Sequence, residues 1–208
     1  MNSPLPWWQN GVIYQIYPKS FQDTTGSGTG DLRGVIARLD YLQRLGVDAI
    51  WLTPFYVSPQ VDNGYDVADY TAVDPAYGTL DDFDELVASA HQRGIRIVLD
   101  MVFNHTSTEH AWFCEALDKN SPRRQFYIWR DGVPEQLPNN WRSKFGGPAW
   151  KWHAPSGQYY LHLFAPEQAD LNWDNPAVRD ELKKVCAFWA DRGVDGLRPD
   201  VVNLIAKE

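Results

Sequence analysis

The stretch TLDDFDELVASAHQRGIRIVLDMVFNH, residues 79–105, predicts a helix that leads directly into a buried strand. Thr79 is a typical helix N-cap, and the aspartates that follow it suit the positive end of the helix dipole. Gly94 is suited to end the helix, because glycine readily adopts the left-handed conformation found after a helix C-terminus. Residues 95–102 then form a nearly continuous apolar run, which is typical of a strand covered on both faces.

The same alternation of strand and helix extends to either side of this stretch. Residues 11–18 and 49–54 are short, β-branched or aromatic segments bounded by turn-forming residues, as expected for buried strands. Apolar residues at helical spacing predict one helix over residues 32–45 and another over 176–192, before a fourth strand at 196–202. Strands that alternate with helices indicate an α/β fold with a parallel sheet.

Residues 104–175 interrupt this alternation. The segment is rich in Trp, Pro, Asn and Gly and is too long for an ordinary connection between a strand and a helix. We therefore predict the first half of a TIM (β/α)8 barrel, strands one to four, with a small subdomain inserted after the third strand. The expected divisions are 1–103 for strands one to three with their helices, 104–175 for the subdomain, and 176–208 for the third barrel helix and the fourth strand, with the other strands expected beyond residue 208.

The composition favours a globular protein that acts on small molecules. Of the 208 residues, 44% are hydrophobic and 22% are charged, which is enough apolar content for a full core. The net charge of −8 is spread without a basic block, which argues against nucleic acid or an anionic membrane as the partner. We find no secretion signal and only two cysteines, so the predicted location is the cytoplasm. The sequence leaves the oligomeric state open.

Polar side chains cluster where the predicted strands end. The second strand leads into DNGYD at residues 62–66, the third ends in DMVFNH at 100–105, and the fourth ends in GLRPD at 196–200. Reactive groups lie at these carboxyl ends in a parallel barrel. Strand periodicity also places Arg198 and Asp200 on one face, where the guanidinium is expected to keep the carboxylate ionised.

These segments resemble the motifs of the α-amylase family of glycoside hydrolases, in the same order and at the expected spacing. DMVFNH is similar to the motif at the end of the family's third barrel strand, and GLRPD resembles the Gly-x-Arg-x-Asp motif of the fourth. QADLNW at residues 168–173 resembles a motif of the inserted subdomain. The resemblance covers essentially the whole chain and implies a retaining glycosidase, in which one carboxylate attacks the anomeric carbon and a second carboxyl group protonates the leaving oxygen.

The resemblance implies that Asp200 is the nucleophile and that Asp100 orients Arg198 beside it. A buried ion pair with a purely structural function is the alternative for Asp100 and Arg198. The family's acid/base glutamate lies on the fifth strand, so this chain alone is expected to be inactive.

The resemblance also implies a sugar-binding group, in which Asp62, Tyr65 and His105 hold the nonreducing glucose and Tyr65 stacks on it. A packing function for Tyr65 and a capping or core function for His105 are the alternatives. No cofactor is expected. The loop DTTGSGTGD at residues 23–31 resembles a calcium loop of some relatives, but its two carboxylates favour a glycine-rich turn capped by Asp31, and no metal is predicted.

Smaller features indicate a branch of the family. WWQNGVIYQIYPKSF at residues 7–21, together with QADLNW and Val201, is similar to the branch that cleaves trehalose 6-phosphate and oligo-1,6-glucosides. Within NNWRSKFGGPAWKWH at residues 139–153, Lys144 is the candidate for binding the phosphate of a phosphorylated disaccharide. Arg142 or Lys151 is a second candidate cation for the same phosphate. A solvated loop is the alternative for these cations.

Three further functions stay open in the sequence. The first is an exo-acting α-glucosidase of the oligo-1,6-glucosidase kind, the second is a noncatalytic amylase-like module, and the third is a carbohydrate-binding fragment that keeps half of a cleft. Pro199 encourages the second, since the family usually has an aliphatic residue between the arginine and the nucleophile. Proline lacks the N–H that a central strand uses, so we expect it to cost stability and to affect the position of Asp200.

Overall fold

The computed structural model describes residues 5–207, and the chain divides into two compact units. The first unit comprises Met1–Phe55, Thr71–Met101 and Ala187–Arg198, and the second comprises Tyr56–Tyr70, Val102–Cys186 and Pro199–Glu208. Residues 1–4 and 208 lie outside the described residues. The expectations about a secretion signal and about strands beyond residue 208 therefore also lie outside them.

Most of the secondary-structure elements are short. The strands are β1 (Ile13–Ile16), β2 (Ala49–Leu52), β3 (Tyr56–Val57), β4 (Asp69–Val73), β5 (Arg96–Val102), β6 (His105–Ser107), β7 (Trp129–Asp131), β8 (Trp150–His153), β9 (Gln158–Leu161), β10 (Gln168–Asp170) and β11 (Gly196–Asp200). The α-helices are α1 (Trp7–Asn10), α2 (Pro18–Phe21), α3 (Leu32–Ala37), α4 (Leu39–Leu45), α5 (Leu80–Gln92), α6 (Ala111–Ala116) and α7 (Pro176–Asp191). No described helix is long and apolar enough to cross a membrane.

A four-stranded sheet organises the first unit, in the order β1-β2-β5-β11. The pairs β1/β2 and β2/β5 are parallel, with Ile50 of β2 opposite Tyr14 on one side and Ile97 on the other. Both isoleucines are fully buried. Parallel strands joined through helices confirm the α/β class predicted from the sequence.

Helix α5 ends where its sequence predicts. The Thr79 side chain accepts a hydrogen bond from the Asp82 N–H while the Asp82 carboxylate accepts one from the Thr79 N–H, which forms a capping box. Gly94, with φ of 72°, follows the last turn. Phe83 on the buried face stacks on Phe55 at 5.4 Å, so the helix is fixed to the unit by an aromatic contact as well as by its cap.

The predicted helix over residues 32–45 is interrupted in the structure. Helices α3 and α4 meet at Arg38, whose φ and ψ of −104° and 2° are not helical and whose N–H bonds to the Val35 carbonyl. Leu32 and Val35 before the break and Leu39 after it are all fully buried. The apolar stripe therefore continues across a break in the backbone, which explains why periodicity alone predicted one helix.

The fourth strand is shorter than predicted. Strand β11 ends at Asp200, because Val201 takes the left-handed conformation with φ of 38°. A β-branched residue rarely adopts this conformation, and such residues often adjoin functional positions.

Aromatic packing organises the second unit. An antiparallel sheet in the order β7-β9-β8 carries a buried cluster of Ala149, Trp150, Tyr159 and Leu161. Phe113 of α6 contacts the rings of Tyr127 and Tyr160 at 5.0 and 5.2 Å. Aromatic residues of the segment 104–175 thus form part of this core.

Helix α6 begins at a buried histidine, and this gives the unit a pH-dependent stability. The His110 Nδ1 accepts a hydrogen bond from the Trp112 N–H at 3.0 Å, and burial lowers the pKa of His110 to about 4 from 6.5. Between these values the unfolded chain binds a proton that the folded chain does not. The contribution to folding is therefore complete above about pH 6.5 and is lost as the pH falls towards 4.

We expect the variant His110→Asn to reduce this pH dependence, because asparagine can still cap the helix but does not titrate. The change in unfolding free energy between pH 7 and pH 5 should shrink by on the order of 2 kcal/mol. This change in unfolding free energy is measured by hydrogen exchange at the α6 amides in urea at both pH values. His91→Asn, at a half-exposed histidine of the first unit, is the control, and an unchanged slope in His110→Asn would contradict the prediction.

Candidate active site

A buried carboxylate in the first unit holds an arginine in place. Asp100 in β5 is fully buried, and Arg198 Nη1 in β11 donates to its two oxygens at 3.0 and 3.1 Å. The Trp51 Nε1 of β2 donates to the same carboxylate at 3.1 Å, and the Arg198 guanidinium lies 4.6 Å from the centre of the Trp51 ring. Charge-assisted bonds and a cation–π contact thus fix one guanidinium.

The sequence did not indicate that Trp51 belongs to the site, because it looks like any other apolar residue of β2. Its indole N–H is the only part that distinguishes it from a packing residue, and its partner Asp100 is 49 positions away. The signal available was its place in a strand next to the one that carries Asp100.

Strand β11 carries both Arg198 and Asp200. Burial alternates along it, with both residues half-buried and with Leu197 and Pro199 exposed. Pro199 therefore belongs to the opposite side of the strand, and β11 keeps its place next to β5. Asp200, like Asp62, belongs to the second unit, and its charge contributes to raising the pKa of Asp62.

The loop at residues 61–66 is fixed by a buried carboxylate. Asp66 accepts hydrogen bonds from the N–H groups of Val61 at 2.9 Å and Asp62 at 3.0 Å. The Tyr65 N–H donates to the Asp62 carbonyl at 2.9 Å, and Gly64 has a φ of 98°. The loop thus presents Asp62 and the half-buried Tyr65 in one defined conformation.

Asp62 is a carboxylate whose proton affinity is raised. Burial is the main cause of its raised pKa, and the charges of Asp66 and Asp200 add to it. A hydrogen bond from Gln168 Nε2 at 2.9 Å opposes the shift. Gln168 belongs to the QADLNW motif, but nothing in its own segment distinguishes it from an ordinary polar residue.

His105 is almost completely buried, with 1% exposure. Its Nδ1 lies 3.0 Å from Asn104 Nδ2, and its Nε2 lies 3.1 Å from both the Tyr65 carbonyl oxygen and Gln168 Nε2. Burial lowers the pKa of His105 to about 4. A neutral ring therefore connects β6 to the loop that carries Asp62 and Tyr65.

Among the described residues, Lys144 is connected to His105 only through neighbouring residues. Its side chain is exposed, and its backbone N–H donates to the Leu163 carbonyl at 2.8 Å. The neighbouring Phe145 ring contacts Phe164 at 5.6 Å, and Phe164 contacts the His105 ring at 5.2 Å. Arg142 and Lys151 are exposed as well.

The glycine-rich loop at residues 23–31 directs its carboxylates at its own backbone. Asp23 accepts from the N–H groups of Thr25, Gly26 and Gly28, and the bonds from Gly28 and Thr25 are the main reason its pKa is lowered. Asp31 accepts from the Thr24 N–H at 2.8 Å and so caps the turn, and it also accepts from the Gly34 N–H at 2.7 Å and caps α3. Among residues 5–207, no three His, Cys, Asp or Glu side chains are arranged to hold a metal ion.

A cavity of about 620 Å³ lies elsewhere in the second unit. Arg124, Trp129, Trp141 and Lys207 are among its lining residues, whereas Asp62, Tyr65 and His105 are not. Lys207 also donates a hydrogen bond to Asn104, the residue next to His105, so the cavity borders the surroundings of His105 without being lined by it.

Parallel strands followed by carboxylates, an arginine and a histidine are an arrangement typical of α/β enzymes, in which polar groups lie where the strands end. Residues 15–208 match the family described as "Alpha amylase, catalytic domain". The chain belongs to this family.

The chain is similar to several characterised members. It is 85% identical to the trehalose-6-phosphate hydrolase of Escherichia coli over 97% of this chain and 37% of that protein. It is 52% identical to the oligo-1,6-glucosidase of Parageobacillus thermoglucosidasius over 97% of this chain and 36% of that protein. The crystal structure of Bacillus licheniformis trehalose-6-phosphate hydrolase matches with a TM-score of 0.95 and 57% identity, over 98% of this chain and 37% of that one. The chain thus spans little more than a third of the length of these relatives.

Proposed function

We propose that the whole protein is a retaining α-glucosidase that hydrolyses trehalose 6-phosphate to glucose and glucose 6-phosphate. The observation that carries the proposal is the 85% identity to the Escherichia coli trehalose-6-phosphate hydrolase, which extends over 97% of the chain. The substrate is thus a small phosphorylated disaccharide, with no nucleic acid or membrane partner. A cytoplasmic location is part of the proposal.

The fold proposal goes with this function. We propose that the parallel sheet is the first half of a TIM barrel and that residues 104–175 are a subdomain inserted after the third barrel strand. The parallel pairs β1/β2 and β2/β5 support it, as do the helices between these strands. The proton donor of a retaining mechanism is a second carboxyl group about 5 Å from the nucleophile, which we expect the rest of the whole protein to supply.

Three residues receive catalytic functions in this proposal. Asp200 attacks the anomeric carbon, and the glycosyl ester that forms is then hydrolysed by water. Arg198, two residues earlier in β11, supplies a permanent positive charge on the same strand. Asp100 holds the guanidinium through the two hydrogen bonds at 3.0 and 3.1 Å.

Three others receive substrate-binding functions. We propose that Asp62 hydrogen-bonds the hydroxyls of the nonreducing glucose and that Tyr65 stacks on its apolar face. His105 belongs to the same group, and its Nε2 would reach a sugar hydroxyl by releasing the Tyr65 carbonyl, to which it bonds in the free protein. The fixed conformation of the loop at residues 61–66 supports this, because a rigid loop loses less entropy when sugar binds.

Lys144 is proposed to bind the 6-phosphate, and Lys144→Ala tests this. We expect kcat/KM for trehalose 6-phosphate to fall about tenfold or more, since a charge-assisted hydrogen bond contributes about 1.5–3 kcal/mol. Hydrolysis of unphosphorylated trehalose should not change. Lys183→Ala, at an exposed lysine of α7, is the matched control. If Lys144→Ala kept the preference for the phosphorylated sugar, Lys144 would not be the phosphate-binding residue.

The second candidate function is an oligo-1,6-glucosidase, which the 52% identity to the Parageobacillus enzyme favours. A substrate panel separates the two. The whole protein should hydrolyse trehalose 6-phosphate with a kcat/KM well above that for trehalose and isomaltose. Preference for isomaltose would replace the first proposal with the second, and absence of all hydrolysis would favour a noncatalytic amylase-like module.

A further inference from the structure

A buried polar cluster in the second unit contains more than the histidine singled out in the sequence. Its members are Asn104, His105, Gln168, Asp170 and Lys207. Asn104, Gln168 and Asp170 are fully buried, and the Lys207 side chain is 8% exposed. Polar groups that are buried this deeply must satisfy one another, so each hydrogen-bond direction constrains the next.

The side-chain amide of Asn104 has only one satisfactory orientation. Lys207 Nζ donates to Asn104 Oδ1 at 2.6 Å, and Asn104 Nδ2 donates to Asp170 Oδ1 at 3.1 Å. An ammonium group can only donate and a carboxylate can only accept. Rotating the amide by half a turn would place its N–H groups against the ammonium and its oxygen against the carboxylate. Lys207 and Asp170 also pair directly at 3.0 Å, so they act on the amide together.

The orientation of Asn104 determines which nitrogen of His105 carries the proton. Asn104 Nδ2 lies 3.0 Å from His105 Nδ1 and can only donate to it, so Nδ1 has no proton. The neutral ring then carries its proton on Nε2, which donates to the Tyr65 carbonyl at 3.1 Å. The lowered pKa of His105, about 4, agrees with a ring that is neutral at pH 7.

A competing tautomer is available within the same cluster. Gln168 Nε2 lies 3.1 Å from His105 Nε2 and could donate to it if that nitrogen had no proton. Gln168 cannot rotate to avoid this, since its Oε1 accepts from the Ala165 N–H and its Nε2 donates to Asp62, both at 2.9 Å. The two tautomers thus differ in whether His105 bonds to the loop carbonyl of Tyr65 or to Gln168, and Asn104 selects the first.

We propose that Asp170 and Lys207 are positioning residues, which orient the Asn104 amide so that His105 is held as the Nε2–H tautomer and anchors the Tyr65 loop. Their contribution to catalysis rests on the proposed function, in which Asp62, Tyr65 and His105 bind the sugar. The tautomer itself does not depend on that function.

Nitrogen NMR of the unmodified whole protein tests the tautomer directly. With ¹⁵N in the histidine rings, an imidazole nitrogen that carries a proton resonates far from one that does not, and the His105 signals are those that disappear in His105→Gln. We expect a protonated Nε2 and an unprotonated Nδ1 at pH 7. The reverse pattern would overturn the proposal without any variant of the cluster.

The double variant Asp170→Asn/Lys207→Met tests the positioning residues. It removes both buried charges together, so neither is left unpaired. We expect the share of the Nδ1–H tautomer to rise at least fivefold. Asp180→Asn/Lys183→Met makes the same change in an exposed ion pair of α7 and should leave the tautomer unchanged. If the double variant kept the tautomer ratio of the unmodified protein, the proposal would be overturned.

A single substitution covers the case in which the double variant does not fold. Asn104→Asp replaces the donor beside Nδ1 by an acceptor and should move a proton onto Nδ1, whereas Asn120→Asp at an exposed loop should not. An unprotonated Nδ1 in Asn104→Asp overturns the proposal. Failure of every form to hydrolyse trehalose 6-phosphate would contradict the proposed function and leave the NMR result intact, so the two failures are distinguishable.

Discussion

Replacement of Asp200 by asparagine should lower kcat for trehalose 6-phosphate about 10⁴-fold or more in the whole protein, because an amide cannot form the glycosyl ester. Asparagine has nearly the same shape as aspartate. Asp100 and Trp51, which hold the Arg198 guanidinium, would both remain in place. The loss should therefore appear in turnover, which steady-state kinetics measures.

The matched control for this prediction is Asp118→Asn, which makes the same chemical change at an exposed turn. Its kcat should stay within about twofold of the unmodified protein, as expected for a surface substitution away from special features. If Asp200→Asn kept more than a tenth of the activity, a different carboxylate would have to be the nucleophile. Asp62, whose pKa burial raises, would then be the next candidate to test.

The parts of the fold that were predictable from the sequence are those specified by local signals. The N-cap at Thr79 and the glycine after α5 act within one or two turns of the helix, and the structure has both. The polar residues at the strand ends were equally visible, because the apolar runs stop there. The break at Arg38 was not visible, since the buried stripe is continuous on both sides of it.

The parts of the candidate site that were missed depend on contacts between distant positions. Gln168 reaches Asp62 across 106 residues, and Lys207 reaches Asn104 across 103. Each is an ordinary polar side chain in its own segment, and only the folded chain buries it next to its partner. Motifs thus identified most of the residues proposed to touch substrate, whereas the residues that orient them required coordinates.

Replacement of Asp100 by asparagine should lower both activity and stability, and the hydrogen bonds explain why. Both carboxylate oxygens accept bonds from N–H donors, one from Trp51 and two from Arg198. An amide in either orientation places its own N–H groups against one of those donors. Asp100 is fully buried, so water cannot relieve the conflict. We expect a loss of about 3 kcal/mol in unfolding free energy, in the range for buried polar groups that lose their partners.

The cost in activity follows from the position of the guanidinium. The Arg198 side chain is 38% exposed, so its charge can be solvated when Asp100 is neutral, but it is then no longer fixed on Trp51. We expect kcat/KM to fall about 10²-fold, as for other small misplacements of positioned groups. Asp84→Asn removes the carboxylate from a half-exposed pair with Arg192 and should cost less than about 1 kcal/mol, with activity unchanged. Equal effects of the two substitutions, measured by urea unfolding and steady-state kinetics, would mean that Asp100 and Arg198 form a structural ion pair without a catalytic function.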